Sequence, residues 1–477
     1  MMKKLLICSL LALATATAFS QQGYNIQLTL KPYRNEQVYL GYYYGKLKAL
    51  ADSVKLDANS QGTFKGAKPL PGGIYFIVSP NKQILFELLL DKEQQFSIVA
   101  DSAKLPASVV FKGSKDNTLF QSYTRFANET GQAIGAANAE AANPATQKEA
   151  EAKLKKLGAS MQHYRDSIVA KHPESLLAAL LQAMKEPTVP PASKHPGGKY
   201  DSNFAYHYYK DHYWDGVEFN DDRLVRTPFF ESKLERYYNN LVPPNPDSVW
   251  NEVDYMLLYS RSGKEMYKFL MVNFVQQYVN PKYMGQDAVF VKIFEKYISN
   301  GDVDFFTKEY KDFITKRAYS LMANQIGLQA ANMKMVDTAD KAAALYDVKA
   351  PMTVVVFWDP TCSHCKEVVP KVDSIFQAKW RAMGIRLYGV MVDGGKENWT
   401  KYIRDNNLRD WVHVYQLPSQ LEAEQQAGQA NYRQLYDVYQ TPMLYLLDQE
   451  KRIVAKKLDY LQLDEIINLK IKNSNTN

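Results

Sequence analysis

The chain has 477 residues, 46% hydrophobic and 23% charged, with 58 Lys and Arg against 51 Asp and Glu and a formal net charge of +7. So mild a charge, with no basic run interleaved with aromatics, argues against nucleic acid as a partner, and the length allows about two to four domains with sizeable cores. Past the N-terminus no stretch reaches the roughly eighteen uninterrupted apolar residues of a spanning helix, which argues against stable membrane insertion.

The chain opens Met1-Met2-Lys3-Lys4, continues with an apolar run from Leu5 to about Ala14, and reaches Ala18-Phe19-Ser20. A positive start, a short greasy core and small residues before a break predict a secretory signal over residues 1–20, too short to be a membrane span. Cys8 comes too early for lipid attachment, and Leu5-Leu6-Ile7 lacks the small residues it requires, so Cys8 is expected to leave with the signal. The protein is then exported to the periplasm or cell envelope, an oxidising space, with two cysteines left, Cys362 and Cys365. With no other cysteine in the chain, that pair must do its chemistry with cysteines on partners.

Residues 21–117 read as an all-β, sandwich-like module. Tyr24–Leu30 and parts of Gln37–Tyr43 alternate with period two, and Ile74–Val78, Ile84–Leu90, Phe96–Ala100 and Ser108–Lys112 add short strands. Gly62, Pro71-Gly72-Gly73 and Ser79-Pro80-Asn81 read as turns between them. No catalytic constellation appears here, and a binding or spacing role is expected.

Residues 118–325 read as a mostly helical domain. The Ala-rich tract from Gly135 to Ala152 is either a solvated helical hairpin or partly disordered, and Thr146-x-x-Glu149 has the capping-box pattern that restarts a helix. Pro187, Pro190, Pro191, Pro196 and Gly197-Gly198 form a stiff-then-flexible loop, and Pro243-Pro244-Asn245-Pro246 is a second break. Tyr255–Tyr259 and Tyr267–Tyr278 carry helix-period aromatics. His207, Asp211 and His212 do not share the i, i+4 face that a helical chelate needs, so they read as ordinary helix residues and no metal site is predicted.

Residues 326–477 carry the chemistry. Val354-Val355-Val356-Phe357 is the continuous apolar run of a strand buried on both faces, and Val368, Val369, Val372, Ile375 and Phe376 then recur at helical spacing. Cys362-Ser363-His364-Cys365 lies at the junction, where a thiol faces the unpaired N–H groups and positive dipole end of the helix, which favour a thiolate. A structural zinc site needs four ligands that the chain does not supply, and a staple across so short a loop removes little unfolded-state entropy. Two inert buried thiols are the remaining plain alternative. Further on, Ile385–Val392, Trp411–Gln416, Met443–Leu447 and Arg452–Leu458 read as strands. Asn398–Ile403, Tyr432–Tyr439 and Leu463 to about Ile471 read as helices.

This last segment resembles the thioredoxin-fold envelope thiol–disulfide oxidoreductases of the TlpA/ResA type. The matching residues are Phe357-Trp358, Cys362-x-x-Cys365-Lys366, Pro370, and Thr441-Pro442 before an apolar strand. Tyr39–Gly45, Gly72–Tyr75 and Phe111–Ser114 resemble the β-module that precedes such domains in exported Bacteroidetes proteins. The resemblance implies a C-terminal α/β thioredoxin-like domain in which Cys362 attacks and Cys365 resolves. It further implies a cis Pro442 against the active-site disulfide, with Trp358 and Thr441 in support. It implies no cofactor beyond the Cys362–Cys365 disulfide, and as partners cysteine-containing envelope proteins and a redox partner. Two positions depart from the family: Thr361 stands where thioredoxins carry Trp, and Val356 where they carry a buried Asp, which leaves the proton acceptor for Cys365 unassigned. A cationic His364 beside Cys362 would stabilise its thiolate and poise the couple above the roughly −270 mV of thioredoxin. His413, in mid-strand, reads as packing. The peroxidase signature P-x-x-x-T-x-x-C is absent, since Val355 and Asp359 occupy its first and fifth positions. The non-enzymatic alternative is an envelope binding or scaffold protein with a redox-sensitive thioredoxin-like clasp.

Overall fold

The computed structural model describes residues 23–474, so the expected export signal and Cys8 lie outside the described residues. The chain forms two compact units, 1–241 and 242–477. They part beside the Pro243-Pro244 break, so the helical segment read as one stretch is shared between them.

In the first unit, strands β1 (Tyr24–Lys31), β2 (Gln37–Tyr44), β3 (Leu47–Lys55), β4 (Gln61–Gly66), β5 (Gly73–Val78), β6 (Ile84–Leu90), β7 (Gln95–Asp101) and β8 (Val110–Lys112) make two sheets, ordered β4-β1-β7-β8 and β3-β2-β5-β6. Ile26, Leu28, Phe64 and Ile98 of one sheet and Leu40, Tyr75, Ile77 and Leu88 of the other share one core, which makes the module a sandwich. Gly62, read as a turn, lies inside β4. A Cβ there would meet Leu56 at 2.9 Å and Val54 at 3.0 Å, so this glycine lets β4 pass close beneath the end of β3.

Helices α1 (Lys115–Ala141), α2 (Gln147–Lys171), α3 (Leu176–Ala183), α4 (Ser202–Asp211) and α5 (Phe230–Asn240) complete this unit. Buried Asn117 fixes α1 to the sandwich, its amide accepting from Leu89 N (2.8 Å) and donating to Leu89 O (2.8 Å). The Ala-rich tract is the helical hairpin α1–α2. The capping box is not formed: the Thr146 hydroxyl makes no bond to the start of α2 and donates instead to Glu140 O (2.6 Å) at the end of α1.

The second unit begins with α6 (Pro246–Tyr259), α7 (Lys264–Val279), α8 (Asp287–Ile293) and α9 (Lys308–Met322). There follow β9 (Lys334–Asp337), β10 (Ala342–Ala344), β11 (Met352–Trp358), α10 (Ser363–Ile375), β12 (Arg386–Met391), α11 (Lys396–Asp405) and β13 (Val412–Tyr415). The chain closes with α12 (Pro418–Gln426), α13 (Tyr432–Leu435), β14 (Met443–Asp448), β15 (Ile453–Lys456) and α14 (Tyr460–Ser474). The sheet order is β10-β9-β13-β12-β11-β14-β15, with β11, β12 and β13 parallel and β14 antiparallel to β11. The apolar run of β11 feeds two cores by alternation. Val354, Val356 and Trp358 pack on one side with Val369 and Val372 of α10 and Phe376 just past its end, while Val355 and Phe357 pack on the other with Tyr388, Tyr436 and Tyr445. This is the thioredoxin-like arrangement, a mixed sheet covered on both faces.

Candidate active site

A strand buried on both faces can deliver chemistry only at its end, and β11 ends at Trp358. Asp359 shapes the turn that follows: its carboxylate accepts from the backbone N–H and the hydroxyl of Thr361, both at 2.7 Å. The chain then enters α10 with Cys362 as its N-cap. The Cys362 sulfur accepts from the backbone N–H of Cys365 at 3.5 Å, taking the place of the usual Ser or Asp oxygen at a helix start.

The two thiols are therefore unlike. Cys362 is half-buried, and the N–H of Cys365 is the largest influence lowering its pKa, with the Thr441 side chain and the backbone N–H of His364 also contributing. Cys365 is 1% exposed, and burial pushes its thiol up to about 11. Its sulfur accepts one weak bond, from Asp359 N at 3.4 Å. The more acidic thiol is also the accessible one, the combination that makes a nucleophile.

Thr441 and Pro442 come to this site from the far side of the sequence. The Thr441–Pro442 bond is cis, and the Cys362 thiol lies 3.6 Å from the Thr441 carbonyl oxygen. Trp358 is fully buried beneath, its ring 5.3 Å from that of Tyr402. The His364 ring is exposed and reaches toward Glu367 (3.9 Å), and its recorded contribution at Cys362 comes through its backbone.

Residues 326–456 match the AhpC/TSA family, residues 24–120 the domain of unknown function DUF4369, and residues 142–319 the domain of unknown function DUF5106. The C-terminal domain is an AhpC/TSA-family oxidoreductase domain of the thioredoxin fold. Among solved structures, a domain of a possible thiol-disulfide isomerase from Cytophaga hutchinsonii is 33% identical, over 32% of this chain and 97% of its own, with a TM-score of 0.28. A thioredoxin-like protein from Bacteroides caccae is 18% identical, over 60% of this chain and 99% of its own, with a TM-score of 0.46. A thiol:disulfide interchange protein from Bacteroides sp. is 25% identical, over 31% of this chain and 93% of its own, with a TM-score of 0.27. No curated protein matches the chain.

Two features of the AhpC/TSA domain escaped the sequence reading. Pro370 lies inside α10 and cannot donate to the carbonyl of Lys366, which is left for the Tyr402 hydroxyl at 3.5 Å. Burial, with the Cys365 sulfur as a second influence, raises the Tyr402 phenol pKa, so Tyr402 shares the surroundings of the buried thiol. Val356, Gly389 and His413 form one cross-strand row. The absent side chain of Gly389 leaves room for His413 Nδ1 and Trp358 Nε1, which a Cβ there would meet at 3.1 and 3.3 Å. His413 Nε2 donates to Leu408 O at 2.6 Å, and burial lowers its pKa to about 4, so the ring is a neutral member of the core. Among the described residues no three His, Cys, Asp or Glu side chains are placed to hold a metal, and no helix is long and apolar enough to cross a membrane.

Proposed function

We propose that the protein is an exported thiol–disulfide oxidoreductase that exchanges disulfides with cysteine-containing proteins of the cell envelope. The observation that carries this is the asymmetry at the start of α10. Half-buried Cys362 caps the helix and accepts from the Cys365 N–H at 3.5 Å while the Cys365 side chain is buried, an arrangement that lowers one thiol pKa and raises the other. The Cys362 thiolate attacks one sulfur of a partner disulfide, and the other partner sulfur leaves as a thiolate and takes up a proton. Cys365 then loses its proton and attacks the Cys362 sulfur, which releases the reduced partner and leaves a Cys362–Cys365 disulfide. A second, thiol-bearing partner returns the pair to the dithiol. The cis Thr441–Pro442 segment presents backbone beside Cys362, where an incoming chain docks. Val355 and Asp359 stand where the peroxidase signature has Pro and Thr, which favours disulfide exchange over peroxide reduction at this site.

The test is exchange with model disulfides. Cys362→Ser is expected to lose all turnover, and Cys365→Ser to accumulate mixed disulfides whose partners mass spectrometry can identify. Exchange retained in Cys362→Ser would overturn the assignment. Export is tested separately, by a mature N-terminus near Gln21 that carries no lipid; an acylated Cys8 in the mature chain would contradict it.

A further inference from the structure

The Thr441 carbonyl owes its place beside Cys362 to a short span, residues 437–442, held at both ends. At the C-terminal end Met443 enters β14 and pairs with Phe357. At the N-terminal end stands Asp437, fully buried and at φ 54°, with both carboxylate oxygens engaged. Lys457, after β15, takes Oδ2, and Arg317 takes Oδ1. Arg317 belongs not to the AhpC/TSA domain but to α9, 120 residues earlier in the chain. It is itself 5% exposed in its side chain and is braced from behind by Asn280 Oδ1 (2.9 Å) and Val279 O (3.3 Å). Its guanidinium also lies 4.6 Å from the centre of the Tyr439 ring, two residues before Thr441. Just past α9, Asn324 Nδ2 donates to Leu435 O at 3.2 Å and so holds the end of α13, two residues before this span.

We propose that Arg317 is a positioning residue for disulfide exchange: by fixing Asp437 and Tyr439 it holds the Thr441 carbonyl where a partner polypeptide must dock beside Cys362. The inference rests on the exchange reading above and extends its site into the helical part of the second unit. The physical argument is one of anchoring. A planar guanidinium can bond Asp437 and Asn280 at once and still lie against an aromatic ring, which an ammonium cannot do. Without it, Asp437 keeps only Lys457, whose side chain is 32% exposed. The span then gains freedom at the end that faces the partner, while the start of α10, with the Cys365 N–H that acts most strongly on Cys362, is untouched. Small disulfides need no docking backbone and are indifferent to that freedom, whereas polypeptide disulfides are not.

The experiment compares the full chain with Arg317→Met and Arg317→Lys, using insulin as a polypeptide disulfide, glutathione disulfide as a small one, and iodoacetamide for Cys362. The expected result for Arg317→Met is a rise of about tenfold in KM for insulin, as misplacement of a docking element predicts, with glutathione disulfide and alkylation rates changed by less than about twofold. Arg317→Lys should fall between, and it is read in the same way if Arg317→Met does not fold. A lower melting temperature with an unchanged KM for insulin would make Arg317 merely structural, and an equal loss on both disulfides would mean general damage; either result overturns the proposal alone. A wild-type chain without exchange through Cys362 would overturn the underlying reading, and this proposal with it.

Discussion

Strands β1 of the sandwich and β11 of the AhpC/TSA domain are buried in opposite ways, although sandwich strand β5 is, like β11, buried along its whole length. In the sandwich, β1 hides Ile26, Leu28 and Leu30 and leaves Asn25 and Gln27 exposed. In the AhpC/TSA domain, β11 is buried without a break from Thr353 to Trp358. A sheet with one wet face can present side chains anywhere along it, and the sandwich gathers no reactive group. A sheet covered on both faces can present them only where its strands end, so helix start, cysteine pair and cis-proline segment converge at one edge.

That contrast can be broken by substitution, and the largest difference lies between Cys362 and the sandwich core. Cys362→Ser should abolish exchange. Phe64→Ala, which removes a fully buried ring from the sandwich, should cost about 3–5 kcal/mol and leave exchange per folded molecule unchanged. Melting and turnover measured on the same samples check this. A folded Phe64→Ala chain without activity would give the sandwich a part in the chemistry.

His413 sharpens the comparison through pH. Burial holds its folded pKa near 4, below the roughly 6.5 of an unfolded histidine, so the unfolded state binds the extra proton between those values. Stability is therefore lost as pH falls from about 6.5 toward 4, by up to about 3 kcal/mol from this group. Denaturant melts of wild type and His413→Gln at pH 7 and 4.5 should show a shallower acid loss in the variant. Equal losses would show that the histidine is not buried neutral.

Glycines give the smallest pair of effects. Gly389→Ala must push on Trp411 at 3.0 Å and His413 at 3.1 Å, an overpacking expected to cost about 1–3 kcal/mol. Gly158→Ala, in α2 with nothing within 4 Å, should instead stabilise by about 0.5–1 kcal/mol. Thermal melts read both signs.

Legibility in the sequence followed the same division. The β11–α10 junction could be read because an apolar run, a helical period and Cys362-x-x-Cys365 are local patterns. The resemblance at Thr441-Pro442 pointed to a distant segment that the structure brings to Cys362. Strand β3 was missed because Leu47–Lys55 is exposed or half-buried throughout and carries no alternation. The Thr146 pattern marked where α2 restarts, although its hydroxyl bonds Glu140 O of the preceding helix instead of capping α2. Arg317 and Asp437 carry no mark of their pairing, since single charges 120 residues apart leave no periodic trace. At His364 the sequence drew notice to an imidazole, and the structure places that ring in solvent, 3.9 Å from Glu367.

The most direct test of the central claim is alkylation of the reduced protein across pH, with the labelled cysteine located by mass spectrometry. Because the thiolate is the reacting form, Cys362 should label first, with a midpoint below the ordinary thiol range, and Cys365 only as pH approaches about 11. Labelling of both cysteines together at an ordinary thiol midpoint, or of Cys365 first, would contradict the account.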